Sequence, residues 1–363
     1  MDANIAEPYL KMRELLDASP SGCPEAPEIY EILQILFSEE EAALVSNLAY
    51  MAKPAEAIAE KAGISPEEAA EMLESLADRG LVLASDRGGV RGYSMLPLMP
   101  GIFEFPFMNG ERNELQDRLA ALWKDYSPVL GRGLGSPGMR IIRAIPVQEE
   151  VVSVPGVLTY SMLYDLIDNA KATAIAHCAC RESERECDAP REACMIFDDK
   201  ADFLVERGFA RYLTADEMKE KLREFDRAGL VHQVNNAQDK LTLICNCCPC
   251  CCHLLRAVKE WGNPNVIAGS GFKPVVDEDV CVGCGICADE RCPMGAITVV
   301  EGTSSVDEAM CIGCGLCVTG CPNEALHLVI REDAAAPPAT SRDVGLVLLQ
   351  EKGKLQRFIE INS

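Results

Sequence analysis

The sequence predicts a multidomain α+β chain. Its parts are a helix-rich N-terminal domain closed by a hairpin (1–100), a connecting segment (101–150), a small α/β cysteine-rich middle domain (151–274), a C-terminal domain built on two cysteine runs (275–333) and a tail (334–363). Three observations carry this division. Two helix-start signals precede a pair of short strand-like runs. Strand-like and helix-like patterns then alternate through the middle. All cysteines but Cys23 lie beyond residue 177, in three dense groups.

In the first domain, Ser38 with Glu41 three residues on reads as a capping box before Ala42-Ala43-Leu44-Val45. Ser65, Pro66 and Glu68 read as a second helix start, with proline in the first helical position. The stripe Ala69, Met72, Leu73, Leu76 and Ala77 follows at helical spacing, and Gly80 ends it. Residues 81–83 and 90–95 read as strands around the turn Asp86-Arg87-Gly88-Gly89. Residues 26–97 thereby resemble a winged helix-turn-helix. In that fold the second helix normally enters the DNA major groove. Here it carries Glu67, Glu68, Glu71, Glu74 and Asp78 against one base, Arg79, so phosphate repels it. The resemblance therefore implies a docking module.

The stretch Gly131-Arg132-Gly133-Leu134-Gly135-Ser136-Pro137-Gly138 superficially matches a phosphate-cradling loop. Such loops need a strand before and a helix after, whereas residues 139–145 read as a strand. The stretch is taken as a flexible connection. No Walker A, HExxH or GxSxG motif occurs in the sequence.

The middle domain should open with a helix at 160–169, then a strand at 173–177 running into cysteines. Thr214 and Glu217 form a third capping box, opening a helix with Met218, Leu222 and Phe225 inward and Gly229 as its stop. A buried strand at 241–244 also runs into cysteines, and a helix should span 250–261. The cysteines are Cys178, Cys180, Cys187 and Cys194 in one group, and Cys245, Cys247, Cys248, Cys250, Cys251 and Cys252 in the other. Packing accounts for one or two free thiols, not for six within eight residues. A metal or iron–sulfur site is expected, with iron–sulfur preferred to zinc because a second redox centre would give the C-terminal domain an internal partner. One cluster drawing on both groups is the simplest solution; two clusters, or one with more than four ligands, remain open. Cys180, Cys187, Cys194, Cys245, Cys247 and Cys248 are the favoured ligands. His177 and His253 adjoin cysteines and are candidate ligands or proton carriers; His232 is expected to make hydrogen bonds within the fold or to face the new site from a strand, His327 to be structural and Cys23 to be packed.

The C-terminal runs read Cys281-x2-Cys284-x2-Cys287-x4-Cys292-Pro293 and Cys311-x2-Cys314-x2-Cys317-x3-Cys321-Pro322. Three thiolates of each run face one iron–sulfur cube, and the fourth reaches the other cube. The expected sets are Cys281, Cys284, Cys287 and Cys321 for one [4Fe-4S] cluster, and Cys311, Cys314, Cys317 and Cys292 for the second. Gly283, Gly285, Gly313 and Gly315 suit a backbone that needs positive φ and close approach. Residues 277–331 resemble the bacterial two-cluster ferredoxins, which implies a two-cluster ferredoxin fold. One departure is the four-residue loop Ala288-Asp289-Glu290-Arg291, where the usual pattern has three. A partly amphipathic helix is expected at 342–360.

Three motifs, Cys178-Ala179-Cys180-Arg181, Gly229-Leu230-Val231-His232 and Cys245-Asn246-Cys247-Cys248, together with the ferredoxin runs, resemble a group of anaerobic-bacterial iron–sulfur proteins with this domain plan. The likeness supports the plan and leaves the reaction open. So many thiols fit a reducing cytoplasm. The net charge of −23 disfavours nucleic acid and anionic membranes, and favours a redox partner protein with a basic docking patch. The expected function is electron transfer between a partner oxidoreductase and a middle-domain cluster through two [4Fe-4S] clusters. A reductase with a substrate-binding cluster, and a redox-responsive regulator, are the alternatives.

Overall fold

The computed structural model describes residues 5–147 and 160–363. The expected start of the middle domain at 151 lies outside these residues.

Five helices open the chain: α1 (Glu7–Asp17), α2 (Pro27–Leu36), α3 (Glu39–Val45), α4 (Ala55–Ala62) and α5 (Pro66–Asp78). The Glu41 amide donates to Ser38 Oγ at 3.1 Å while the Ser38 amide donates to Glu41 Oε2 at 2.8 Å, closing both ends of the capping box. At α5, the Glu68 amide donates to Ser65 Oγ at 3.2 Å, and Ala69, Leu73, Leu76 and Ala77 face the core. The antiparallel hairpin β1 (Val82–Arg87) and β2 (Val90–Met95) follows. The acidic residues of α5 are partly used within the protein. Arg91 Nε donates to Glu74 Oε1 at 2.7 Å, and so does the Tyr93 hydroxyl. Arg207, 7% exposed, lies 3.6 Å from carboxylates of both Glu74 and Asp78 and bridges α5 to the central sheet region.

The segment expected to be a connection is instead a structural spine. After α6 (Phe105–Met108), the 20-residue helix α7 (Glu114–Gly133) buries Leu119, Trp123, Tyr126 and Leu130. Asn113 caps it, accepting from the amides of Leu115 and Gln116. Gly131 and Gly133 form its last turn rather than a flexible loop. A Cβ at Gly131 would sit 2.2 Å from Trp261, so the glycine permits close helix packing. Pro128 and the two glycines mask the helix in the sequence, because such residues weaken a helical reading.

The chain then forms β3 (Ile142–Ile145), α8 (Tyr160–Asn169), β4 (Thr173–His177), α9 (Ala179–Glu184), β5 (Glu192–Phe197), α10 (Asp199–Glu206), β6 (Ala210–Tyr212), α11 (Ala215–Arg227), β7 (Val231–Asn235), β8 (Leu243–Cys247), α12 (His253–Lys259) and β9 (Ile267–Ala268). Its strands make one seven-stranded sheet in the order β6-β4-β5-β8-β7-β3-β9. Every neighbouring pair is antiparallel except β3–β9, so the expected α/β unit has an antiparallel core. Alternation along the strands gives the sheet two faces. Ile175, Met195, Phe197, Val234 and Ile244 pack on one side with Leu163 and Ile167 of α8 and Met218, Leu222 and Phe225 of α11. Ala174, Ala176, Ile196 and Val231 belong to the larger core on the other side, shared with α7 and α12.

The C-terminal region pairs β10 (Phe272–Val276) with β13 (Leu326–Ile330), and β11 (Ile297–Val300) with β12 (Thr303–Val306), both antiparallel; the short helix α13 (Leu316–Thr319) lies between β12 and β13. Gly313 has φ 69°, and a Cβ there would lie 2.3 Å from the Phe272 carbonyl, so backbone crowding demands the glycine. The tail is two helices rather than one, α14 (Ser341–Glu351) and α15 (Leu355–Asn362), broken at Gly353 with φ 68°. It straps back onto the N-terminal region: Lys354 Nζ meets Asp17 Oδ1 at 2.7 Å, and Phe358 stacks on Tyr50 at 5.4 Å.

Candidate metal centres

Two cavities in the C-terminal region are ringed by cysteines. Cys281, Cys284, Cys287 and Cys321 line one. Cys292, Cys311, Cys314 and Cys317 line the other. Each therefore takes three thiols from one run and one from the other, and four thiols around one small cavity suit a cubane cluster. The fourth thiols are held alike: the Ala296 amide donates to Cys292 Sγ at 3.2 Å, and the Ala325 amide to Cys321 Sγ at 3.3 Å. The surroundings differ. Amide hydrogen bonds from Ser304 and Gly283 lower the pKa of Cys281, whereas burial pushes Cys314 up to about 12. The extra residue of the first run is absorbed in a widened helical turn, Cys287–Arg291. Arg291 then donates from Nε to the Leu316 carbonyl at 2.9 Å and from Nη2 to Thr319 Oγ1 at 3.2 Å. The longer loop thus ties the two halves of the region together.

The ten cysteines of the central sheet fall into two sets. The sulfurs of Cys187, Cys248, Cys250 and Cys251 all lie within 4.8 Å of one another. Cys248 and Cys251 belong to the core on the α8 and α11 side of the sheet. The hydrogen bond from Cys251, with Arg181 alongside, outweighs burial and brings Cys248 down to about 5.

The other six line a cavity of about 340 Å³ on the opposite side. They are Cys178, Cys180, Cys194, Cys245, Cys247 and Cys252. Cys245 and Cys247 sit two apart on β8 and share a face, and Cys194 pairs directly opposite Cys245. Thiol-to-thiol contacts run from Cys178 to Cys180, Cys252, Cys247, Cys245 and Cys194 in turn. Helix α12 begins only at His253, with Cys252 as its N-cap, rather than at Cys250 as expected. Of the six favoured ligands, Cys187 and Cys248 go to the compact set, and Cys180, Cys194, Cys245 and Cys247 to the cavity.

The sequence-selected histidines face carboxylates and polar groups. His177 Nδ1 lies 3.1 Å from Glu182 Oε1, and His253 Nε2 lies 2.9 Å from Glu184 Oε1. His253 also meets Ser127 Oγ at 3.1 Å. His232 is buried against Asn246 Oδ1 at 2.6 Å, and burial lowers it to about 4. Cys23 is packed, as its raised value of about 12 from burial reflects. Glu104 is a site residue that the sequence does not single out. It lines the six-thiol cavity and is pushed up to about 8 by burial, although the Gly101 amide donates to its Oε2 at 2.7 Å. A single glutamate between apolar residues carries no signal in the sequence.

Residues 273–322 match the family model described as a 4Fe-4S dicluster domain. The chain therefore carries a C-terminal ferredoxin-type iron–sulfur domain, and its cysteines support iron–sulfur binding and electron transfer in general terms. Neither the comparison with curated proteins nor that with solved structures finds a match. Among the described residues, no helix is long and apolar enough to cross a membrane.

Proposed function

We propose that the chain relays electrons between a partner redox protein and a centre held by the six-thiol cavity, through two [4Fe-4S] clusters in the crossed cysteine sets. Such clusters supply one-electron chemistry at potentials set by hydrogen bonds to sulfur and by exposure. The observation that carries the reading is a graded arrangement. The Cys281 set opens to the surface, with Cys284 exposed and Val282 66% exposed. The Cys292 set abuts the central sheet region: the Val147 amide donates to the Cys314 carbonyl at 3.0 Å, and the Ser270 amide to the Ile312 carbonyl at 3.0 Å. Cys314, Ile312 and Met294 share one core with Cys247 and Cys252. On this reading the set with the exposed Cys284 exchanges electrons with a partner, and the Cys292 set passes them toward the central sheet region. The winged-helix-like region serves as a docking and packing module, since its acidic helix is engaged with Arg91 and Arg207.

A second reading, a reductase that binds substrate in the six-thiol cavity, is favoured by the size of that cavity and by Glu104 as a protonated acid at its wall. Iron and sulfide analysis with EPR on anaerobically purified full-length protein tests the relay. More than about eight irons per chain, with a signal beyond the ferredoxin pair, is expected. Iron fixed at about eight, and unchanged in a Cys247→Ser variant, sinks both readings. Turnover of disulfide or thioester substrates separates the second from the first.

A further inference from the structure

We infer that Cys187, Cys248, Cys250 and Cys251 hold a single tetrahedral zinc ion, separate from the redox centres on the other side of the sheet. The sulfur spacing decides against a cube. Cys187 Sγ lies 3.7 Å from Cys248 Sγ and 3.8 Å from Cys251 Sγ, and Cys251 Sγ lies 3.8 Å from Cys250 Sγ. Four thiolates bound tetrahedrally to one zinc at about 2.3 Å stand about 3.8 Å apart. A cubane binds each thiolate to a different iron and spreads them to about 6 Å. The whole set lies within 4.8 Å, below that spread.

The second observation is charge. Arg181 is 2% exposed, and the charged neighbours that act on it are the thiols of Cys178, Cys248 and Cys247. Its Nε donates to Cys248 Sγ at 3.4 Å, and its other nitrogens donate to the carbonyls of Pro190 and Asn246. A buried guanidinium needs a negative partner. Four thiolates around a divalent ion carry two net negative charges, which supply it.

The site is a clasp. Cys187 comes from the loop after α9, and the other three from the turn after β8. Joining these segments fixes the strand end that presents Cys245 and Cys247 to the cavity. Zinc changes no oxidation state, so this clasp holds its shape while electrons pass on the other side.

The test uses full-length protein purified anaerobically. Metal analysis should find about one zinc per chain beside the iron, and zinc-edge X-ray absorption should show four sulfurs at about 2.3 Å. A Cys187→Ser/Cys250→Ser variant should lose the zinc. Should that variant fold poorly, absorption on the unaltered protein still decides the matter. Zinc below half an equivalent, or a shell other than four sulfurs, overturns the assignment. So does iron at these residues, whether a lone ion or a cluster.

Discussion

The two faces of the central sheet use the same side chain for opposite ends. On the α8 and α11 side, Cys248, Cys250 and Cys251 leave a tight turn, and with Cys187 their sulfurs crowd to within 4.8 Å. On the other side, Cys194, Cys245 and Cys247 ride on neighbouring strands, and with Cys178, Cys180 and Cys252 they surround about 340 Å³. A turn concentrates thiols on a point; a strand edge spaces them around a volume. Local backbone geometry, rather than cysteine count, therefore separates a site for one ion from a site for something larger.

The largest expected effect comes from breaking one face alone. Replacing Cys245 and Cys247 with serine should remove about four irons per chain and leave zinc at its full level. Parallel loss of both metals would mean that the two faces are one site, and the comparison would fall.

Arg181 sharpens the contrast because it lies between the faces. It contacts Cys248, and the nearby Cys178 and Cys247 also bear on its charge. Arg181→Gln should destabilise the protein by about 3–5 kcal/mol, since removing one member of a buried charge pair strands the other. Anaerobic denaturant titration measures this. Both zinc and iron occupancy should fall in this variant, unlike the one-sided loss above.

How far the sequence disclosed this division depends on scale. The grouping of the C-terminal cysteines around two cavities was legible because spacing within a short loop is itself the geometry. The capping boxes at Ser38 and Thr214 were legible for the same reason, each being complete within four residues. The split between Cys247 and Cys248 was not read, although adjacent residues at a strand end point to opposite faces and the alternation Cys245-Asn246-Cys247 carried that signal. Expecting the following helix to start at Cys250 hid it; the helix starts at His253. Helix α7 is not legible in the sequence because Gly131 serves Trp261, a partner 130 residues away, and long-range packing leaves no local trace.

That glycine offers a smaller, one-sided perturbation. Gly131→Ala would place a Cβ 2.2 Å from Trp261 and push α7 from α12, whose N-cap is Cys252. A loss of about 1–3 kcal/mol is expected from such overpacking. Iron in the six-thiol cavity should become more accessible to a chelator, with zinc release unchanged. Faster release of both metals would show that packing under α12 supports the two faces equally.

The smallest effect concerns the wall of the cavity. Ser341, Val344, Gly345 and Leu348 of α14 line it, and no residue of α14 belongs to the four-thiol set. The helix is anchored at its end by Lys352, whose Nζ donates to the carbonyls of Pro20 and Gly133, each at 2.8 Å. Burial lowers Lys352 from 10.5 to about 8. Below about pH 8 the lysine is protonated in both folded and unfolded chains, so its contribution does not vary with pH. Between about 8 and 10.5 the unfolded chain binds the extra proton, so this residue makes stability rise with pH. Lys352 is only partly buried, and solvent screening should hold the gain between pH 7.5 and 9.5 to about 1 kcal/mol. Lys352→Met should abolish that rise in anaerobic unfolding midpoints and leave the zinc shell unaltered. If the variant keeps the same pH slope as the unaltered protein, the rise comes from another group and burial does not depress the Lys352 pKa. The apolar contacts of Val344 and Leu348 do not titrate, so they hold the cavity wall alike across this range.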